Sequence, residues 1–183
     1  MALVLHPHPL GGGTMHNKVV FRAAAALNDA GLVVLRINFR GVGQSTGVHD
    51  EGRGERDDVR NALDYLSSKY PGQRIVLCGF SFGSRVGLEV GIKDPRVGFL
   101  IGIGTPLDKY DFGFLADCRK PLLLVHGEND EFGDVGQLRK LVAEFEKTVP
   151  VQLVVIAGAG HFFDARLDDL KRIITDWTNE HFQ

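Results

Sequence analysis

The chain has 183 residues, 44% of them hydrophobic and 24% charged, with a formal net charge of −2 from 21 basic and 23 acidic side chains. That composition excludes intrinsic disorder, which needs low hydrophobicity, and a dedicated nucleic-acid surface, which needs a clustered basic face. No apolar run reaches the roughly 18 residues of a membrane span, and the opening Ala2-Leu3-Val4-Leu5 is too short and uncharged at its start for a secretion signal, so a cytoplasmic location is expected.

In chain order, a first short apolar run, residues 2–5, reads as a strand and leads into the loop His6-Pro7-His8-Pro9-Leu10-Gly11-Gly12-Gly13. Residues 17–30 are Ala-rich and helical in pattern, with Gly31 placed to end the helix. A second strand over residues 32–37 opens into a glycine-rich stretch, residues 41–54. Val59, Ala62, Leu63 and Leu66 then repeat at helical spacing. Residues 74–78 form a third strand, residues 82–92 a helix-compatible segment, and residues 97–103 a fourth strand. A gap of residues 104–121 precedes a fifth strand, residues 122–125. Leu138, Leu141, Val142 and Phe145 mark a helix, residues 151–156 a sixth strand, and Leu170, Ile173, Ile174 and Trp177 a final helix.

Each strand run is apolar on both faces, as buried parallel strands are, and strands alternate with helices. The expectation is one α/β domain over residues 1–183: a doubly wound, mostly parallel sheet of about six strands. The two cysteines, Cys78 and Cys118, form no C-x-x-C pair, and Cys78 lies in an apolar run, so a buried reduced thiol is expected rather than a metal ligand.

The strongest chemical feature is Gly79-Phe80-Ser81-Phe82-Gly83, a G-x-S-x-G pattern between a strand and a helix. A serine on that sharp turn has a strained backbone, needs glycine on either side, and faces the positive end of the following helix. Ser81 is therefore the candidate nucleophile. A hydroxyl needs a base, and His161, in the loop after the last strand, is the candidate ahead of His126, His6 and His8. Asp130, in the loop after the fifth strand, is the candidate acid ahead of Glu128 and Asp134. The order Ser81, Asp130, His161 is that of an α/β-hydrolase triad.

Acyl transfer also needs donors for an oxyanion. The N–H of Phe82 is one; Pro7 and Pro9 have none, which leaves Leu10 as the choice for the second and His8 as the reserve. Two histidines at i, i+2 make only half a metal site, so no metal is expected. The stretch Gly41-Val42-Gly43-Gln44-Ser45-Thr46-Gly47 lacks the lysine of a phosphate loop and reads as a loop framing the site. The run Gly11 to Gly13 fails as a dinucleotide fingerprint. The acidic stretch from Glu55 to Asp58 reads as charge bias at a helix start, without a catalytic role.

Taken together these segments resemble small bacterial α/β-hydrolase superfamily proteins with a His-Pro-His-Pro loop. The matching residues are His6-Pro7-His8-Pro9-Leu10-Gly11-Gly12, Met15-His16-Asn17-Lys18-Val19-Val20, Asn38-Phe39-Arg40-Gly41-Val42-Gly43-Gln44-Ser45, Gly79-Phe80-Ser81-Phe82-Gly83, His126-Gly127-Glu128-Asn129-Asp130 and Gly160-His161-Phe162-Phe163. The resemblance implies a cofactor-free serine esterase acting on short acyl esters. Such proteins usually begin with a β-hairpin before the His-Pro-His-Pro strand; here it is expected to be absent, exposing a sheet edge through which a homodimer could pair.

The gap of residues 104–121 is too short for a cap domain but can hold a turn with Tyr110, Phe112, Phe114 and Leu115. An open acyl pocket is expected, with His8, Phe80, Tyr110, Phe112 and Phe162 as lining candidates. Competing readings are a thioesterase, a peptidase or amidase of the same fold, and an inactive binding module. A serine at the nucleophile position disfavours a haloalkane dehalogenase or a dienelactone hydrolase.

Overall fold

The computed structural model describes residues 1–182. Its strands are β1 (Ala2–Leu5), β2 (Val34–Arg36), β3 (Ile75–Phe80), β4 (Val97–Ile103), β5 (Leu122–Gly127) and β6 (Val151–Ile156). Its helices are α1 (Lys18–Asp29), α2 (Arg53–Lys69), α3 (Phe82–Gly91), α4 (Val135–Phe145) and α5 (Leu167–His181). The strands form one six-stranded sheet in the order β2-β1-β3-β4-β5-β6, and every neighbouring pair is parallel.

Period-two alternation divides the strand side chains between two apolar layers. Leu3, Leu5, Ile75, Leu77, Leu122 and Leu124 pack with α2, α3 and α4 through residues such as Leu63, Val86, Leu138 and Val142. Ala2, Val4, Val76, Cys78, Leu123 and Val125 face α1 and α5 through Val20, Ala23, Leu27, Leu170, Ile174 and Trp177. Cys78 and Cys118 are both buried and unpaired, in opposite layers. Burial pushes the Cys78 thiol far above its ordinary pKa, so it stays protonated.

Helix α1 begins at Asn17, whose side chain accepts the N–H of Val19. It ends before Gly31, which takes a φ of +85°. The second strand is shorter than its apolar run, with three residues paired at the sheet edge. Strands β3 and β5 run two residues further than theirs. Gly79 pairs with Leu5 and Gly102, and His126 and Gly127 pair with Val155 and Ile156. Glycine and histidine interrupt an apolar pattern without interrupting a ladder. Between β4 and β5 the described chain holds one short 3-10 turn, Gly113–Asp117, and no cap. No described helix is long and apolar enough to cross a membrane.

The sheet reverses its winding between β1 and β3: β2 adds on one side of β1, and β3 to β6 add on the other. Ligands of open α/β sheets bind beyond the carboxyl ends of the strands at such a reversal. The loops after β1, β3, β5 and β6 all emerge on that rim.

Candidate active site

Ser81 lies between β3 and α3 with φ +54° and ψ −119°, a conformation that L-residues rarely adopt. Its N–H donates to the Ile103 carbonyl at 2.9 Å, and its own carbonyl accepts from the N–H of Ser84 at 2.9 Å and the hydroxyl of Ser84 at 2.6 Å. The turn is therefore held from both sides. A Cβ on Gly79 would lie 2.2 Å from the Gly83 carbonyl oxygen. This is the packing reason for glycine at that position of the pattern.

The Ser81 Oγ is 2.9 Å from Nε2 of His161. On its other side, His161 Nδ1 sits astride the Asp130 carboxylate, 2.9 Å from Oδ1 and 2.8 Å from Oδ2. A carboxylate only accepts, so Nδ1 carries the proton and Nε2 is left as acceptor for the Ser81 hydroxyl. Asp130 Oδ1 also accepts the Phe132 N–H at 2.9 Å, and its side chain is fully buried. The imidazole is wedged among Phe80, Phe132 and Phe162, with ring centroids at 5.0, 4.7 and 5.2 Å.

The competing side chains are engaged elsewhere. Glu128 accepts the Gly158 N–H, and Asp134 caps α4 by accepting the Gln137 N–H. Buried His126 contacts the Gly133 carbonyl through Nε2 at 2.6 Å and lies behind the Asp130 carboxylate, 3.8 Å from Oδ2, without reaching Ser81. His6 donates from Nδ1 to the Pro7 carbonyl at 2.6 Å and accepts the Phe39 N–H on Nε2 at 2.9 Å. Burial drives the His6 pKa down to about 4, against a smaller opposing effect of the Pro7 bond.

Ser81 and His161 open onto a cavity of about 370 Å³ whose wall also holds His8, Phe82, Tyr110 and Phe162, with Pro7, Gly11 to Gly13, Asn17, Pro106, Lys109 and Phe132, while Asp130 lies buried behind His161. Three expectations are corrected here. Phe80 is fully buried beneath His161 rather than in the wall. Phe112 turns into the core and packs on Phe114, because its 3-10 turn closes the sheet layer rather than the cavity. Leu10 is 78% exposed, and its N–H donates to the His8 Nδ1 at 3.2 Å. That bond removes it from the candidate donors. Gly11, Gly12 and Gly13 likewise spend their N–H groups on carbonyls of the same loop. His8 lines the cavity, and its N–H has no partner among the described residues. The Phe82 N–H, at the start of α3, is also free of any described partner.

The glycine-rich stretch frames the site less directly than expected. None of its residues lines the cavity, but His49 packs on His8 and Phe82 with ring centroids at 4.7 and 5.4 Å. The acidic helix start is more than a charge bias. Glu55 is fully buried and accepts the N–H groups of Asp50 and Gly52, while Asp58 holds Arg40. Both carboxylates tie the loop to α2. Sequence reasoning missed His49, Asn17, Lys109 and Phe132. A cap pattern with Glu55 at its third position was present, but glycine in place of Ser or Thr at its start concealed it.

A family model described as an alpha/beta hydrolase domain matches residues 1–175. An uncharacterized protein of Rickettsia prowazekii (strain Madrid E) is 40% identical over 184 residues, spanning 97% of this chain and 77% of the relative. Among solved structures, an alpha-beta serine hydrolase homologue from Coxiella burnetii aligns with a TM-score of 0.87 at 38% identity, over 96% of this chain and 83% of that one. A Xanthomonas campestris protein described as a serine hydrolase without lid aligns with a TM-score of 0.89 at 35% identity, over 98% of this chain and 80% of that one.

Proposed function

The chain belongs to the alpha/beta hydrolase domain family, and from that premise we propose that it is a cofactor-free serine hydrolase that cleaves short-chain carboxylic esters through an acyl-enzyme intermediate. The observation that carries this reading is the continuous relay from Ser81 Oγ to His161 Nε2 at 2.9 Å and from His161 Nδ1 to the buried Asp130 carboxylate at 2.8 Å.

In this mechanism Ser81 attacks the ester carbonyl as His161 takes its proton. Asp130 holds the ring in the Nδ1–H tautomer and stabilises the imidazolium that forms. The carbonyl oxygen becomes an oxyanion that accepts the N–H of Phe82 and, in place of Leu10, that of His8. Such a donor contributes about 2.7–4 kcal/mol to the transition state. His161 then protonates the leaving alcohol, and water repeats the sequence to release the acid. The open cavity and the absence of a cap in the described chain favour small acyl groups.

The test is covalent labelling by a fluorophosphonate combined with turnover of p-nitrophenyl acetate. Both should occur in the wild type and be lost in Ser81→Ala. Ester turnover that survives in Ser81→Ala would assign the nucleophile elsewhere.

A further inference from the structure

A second histidine–carboxylate pair lies just outside the cavity, and the reaction above does not use it. Glu55 is fully buried. Burial works against its charge, but the N–H groups of Asp50, Glu55 itself and Gly52, with His49 nearby, outweigh that and hold its carboxyl below the ordinary value. Its Oε1 lies 2.8 Å from Nδ1 of His49, whose side chain is 10% exposed. Two heteroatoms at that separation repel unless one carries a proton, and the carboxylate is already accepting N–H groups, so Nδ1 is the protonated atom. The two atoms are in close contact without the alignment of a full hydrogen bond, and His49 Nδ1 has no other partner among the described residues.

The His49 ring closes a triangle with His8 and Phe82. The His49–His8, His49–Phe82 and His8–Phe82 centroid distances are 4.7, 5.4 and 5.1 Å. The loop backbone also approaches Phe82 directly, for a Cβ on Gly52 would lie 3.8 Å from its ring. His8 belongs to the loop after β1 and Phe82 to the start of α3. Their N–H groups are the two that receive the oxyanion in the proposed reaction.

We propose that His49, anchored by the buried Glu55 carboxylate, is a positioning residue that sets the two oxyanion donors against each other by packing on the rings of His8 and Phe82. The proposal rests on the serine-hydrolase reading. His49 does not line the cavity, so it acts through its neighbours rather than on the substrate. Hydrogen bonds that tighten only in the tetrahedral state are sensitive to small displacements, so the loss of such a residue appears in kcat rather than KM.

The experiment compares His49→Ala, His49→Asn and Glu55→Gln with the wild type, using p-nitrophenyl acetate and an alkylboronic acid as a tetrahedral mimic. His49→Asn keeps an N–H near the place of Nδ1, and so keeps Glu55 partnered, but it has no ring to pack. All three variants should lose kcat on the order of 10-fold, with KM held within about twofold and the boronate Kd rising in step with the loss of kcat. His49→Asn should melt like the wild type, which separates positioning from folding if Glu55→Gln fails to fold. Wild-type kcat in His49→Asn, or a loss confined to KM with an unchanged boronate Kd, would overturn the proposal. Failure of the underlying reading would look different: the wild type itself would neither turn over the ester nor label at Ser81.

Discussion

A Cβ on Gly83 would lie 2.6 Å from the carbonyl oxygen of His6. The first turn of α3 thus presses against the end of β1, and the turn at Ser81 and the loop after β1 share one steric constraint. Gly83→Ala must push the two apart. It should cost about 1–3 kcal/mol of stability, as overpacking a close contact does, and reduce ester turnover by more than the folded fraction explains. Urea unfolding alongside kcat measures both effects, and unchanged values would contradict the close approach.

Asp130→Asn leaves the shape of the site intact but inverts the partner offered to His161 Nδ1, favouring the wrong tautomer. Turnover should fall by on the order of 10⁴-fold with little change in KM. Leu10→Ala should be silent in the same assay, since the Leu10 side chain is exposed and its N–H is occupied by His8.

His6 gives a pH signature in stability. Its pKa falls from 6.5 to about 4 on folding, chiefly because burial disfavours the charged ring. Between those values the unfolded chain binds the extra proton, so stability is lost as pH drops from 6.5 toward 4 and the loss levels off below. The full effect is about 3 kcal/mol. Urea unfolding of the wild type and His6→Gln across that range should show the slope in the wild type and a flatter profile in the variant. Parallel profiles would show that His6 stays charged on burial.

The acyl-chain dependence follows from the cavity. A volume of about 370 Å³ that opens to solvent accepts an acetyl or butyryl group but encloses little of a long chain. Rates with p-nitrophenyl esters should peak at short acyl lengths. A rate that climbs steadily to palmitate would require an apolar surface beyond the cavity.

The sheet was legible because each buried strand is apolar on both faces, a pattern that Val76, Leu77 and Cys78 carry as plainly as Leu122 to Val125. The convergence of Ser81, Asp130 and His161 was legible from position, since parallel strands bring the loops that follow them to one rim. Which N–H groups of the loop after β1 lack a partner was not. Whether the Leu10 N–H is free depends on the His8 side chain folding back onto it, and no spacing encodes that bond. Phe112 was misplaced for a related reason: an irregular segment has no period from which the direction of a ring can be read. His49 escaped notice and Glu55 was read only as charge bias at a helix start, because burial of a carboxylate there depends on a loop that crosses from β2 to α2.

Between the strand that delivers Ser81 and the strand that leads to Asp130 runs β4, which contributes no side chain to the relay. The residue that follows it is Gly104, where a Cβ would lie 3.3 Å from the His161 ring and 3.1 Å from Phe80. The reach from serine to carboxylate is thus gauged by the width of one intervening strand in a hydrogen-bonded ladder, a spacing fixed to a fraction of an ångström. The distance between the loops that carry Ser81 and Asp130 is thus inherited from the sheet rather than set by the loops themselves. A change in the walls of the cavity can therefore leave the spacing of Ser81, His161 and Asp130 as it is.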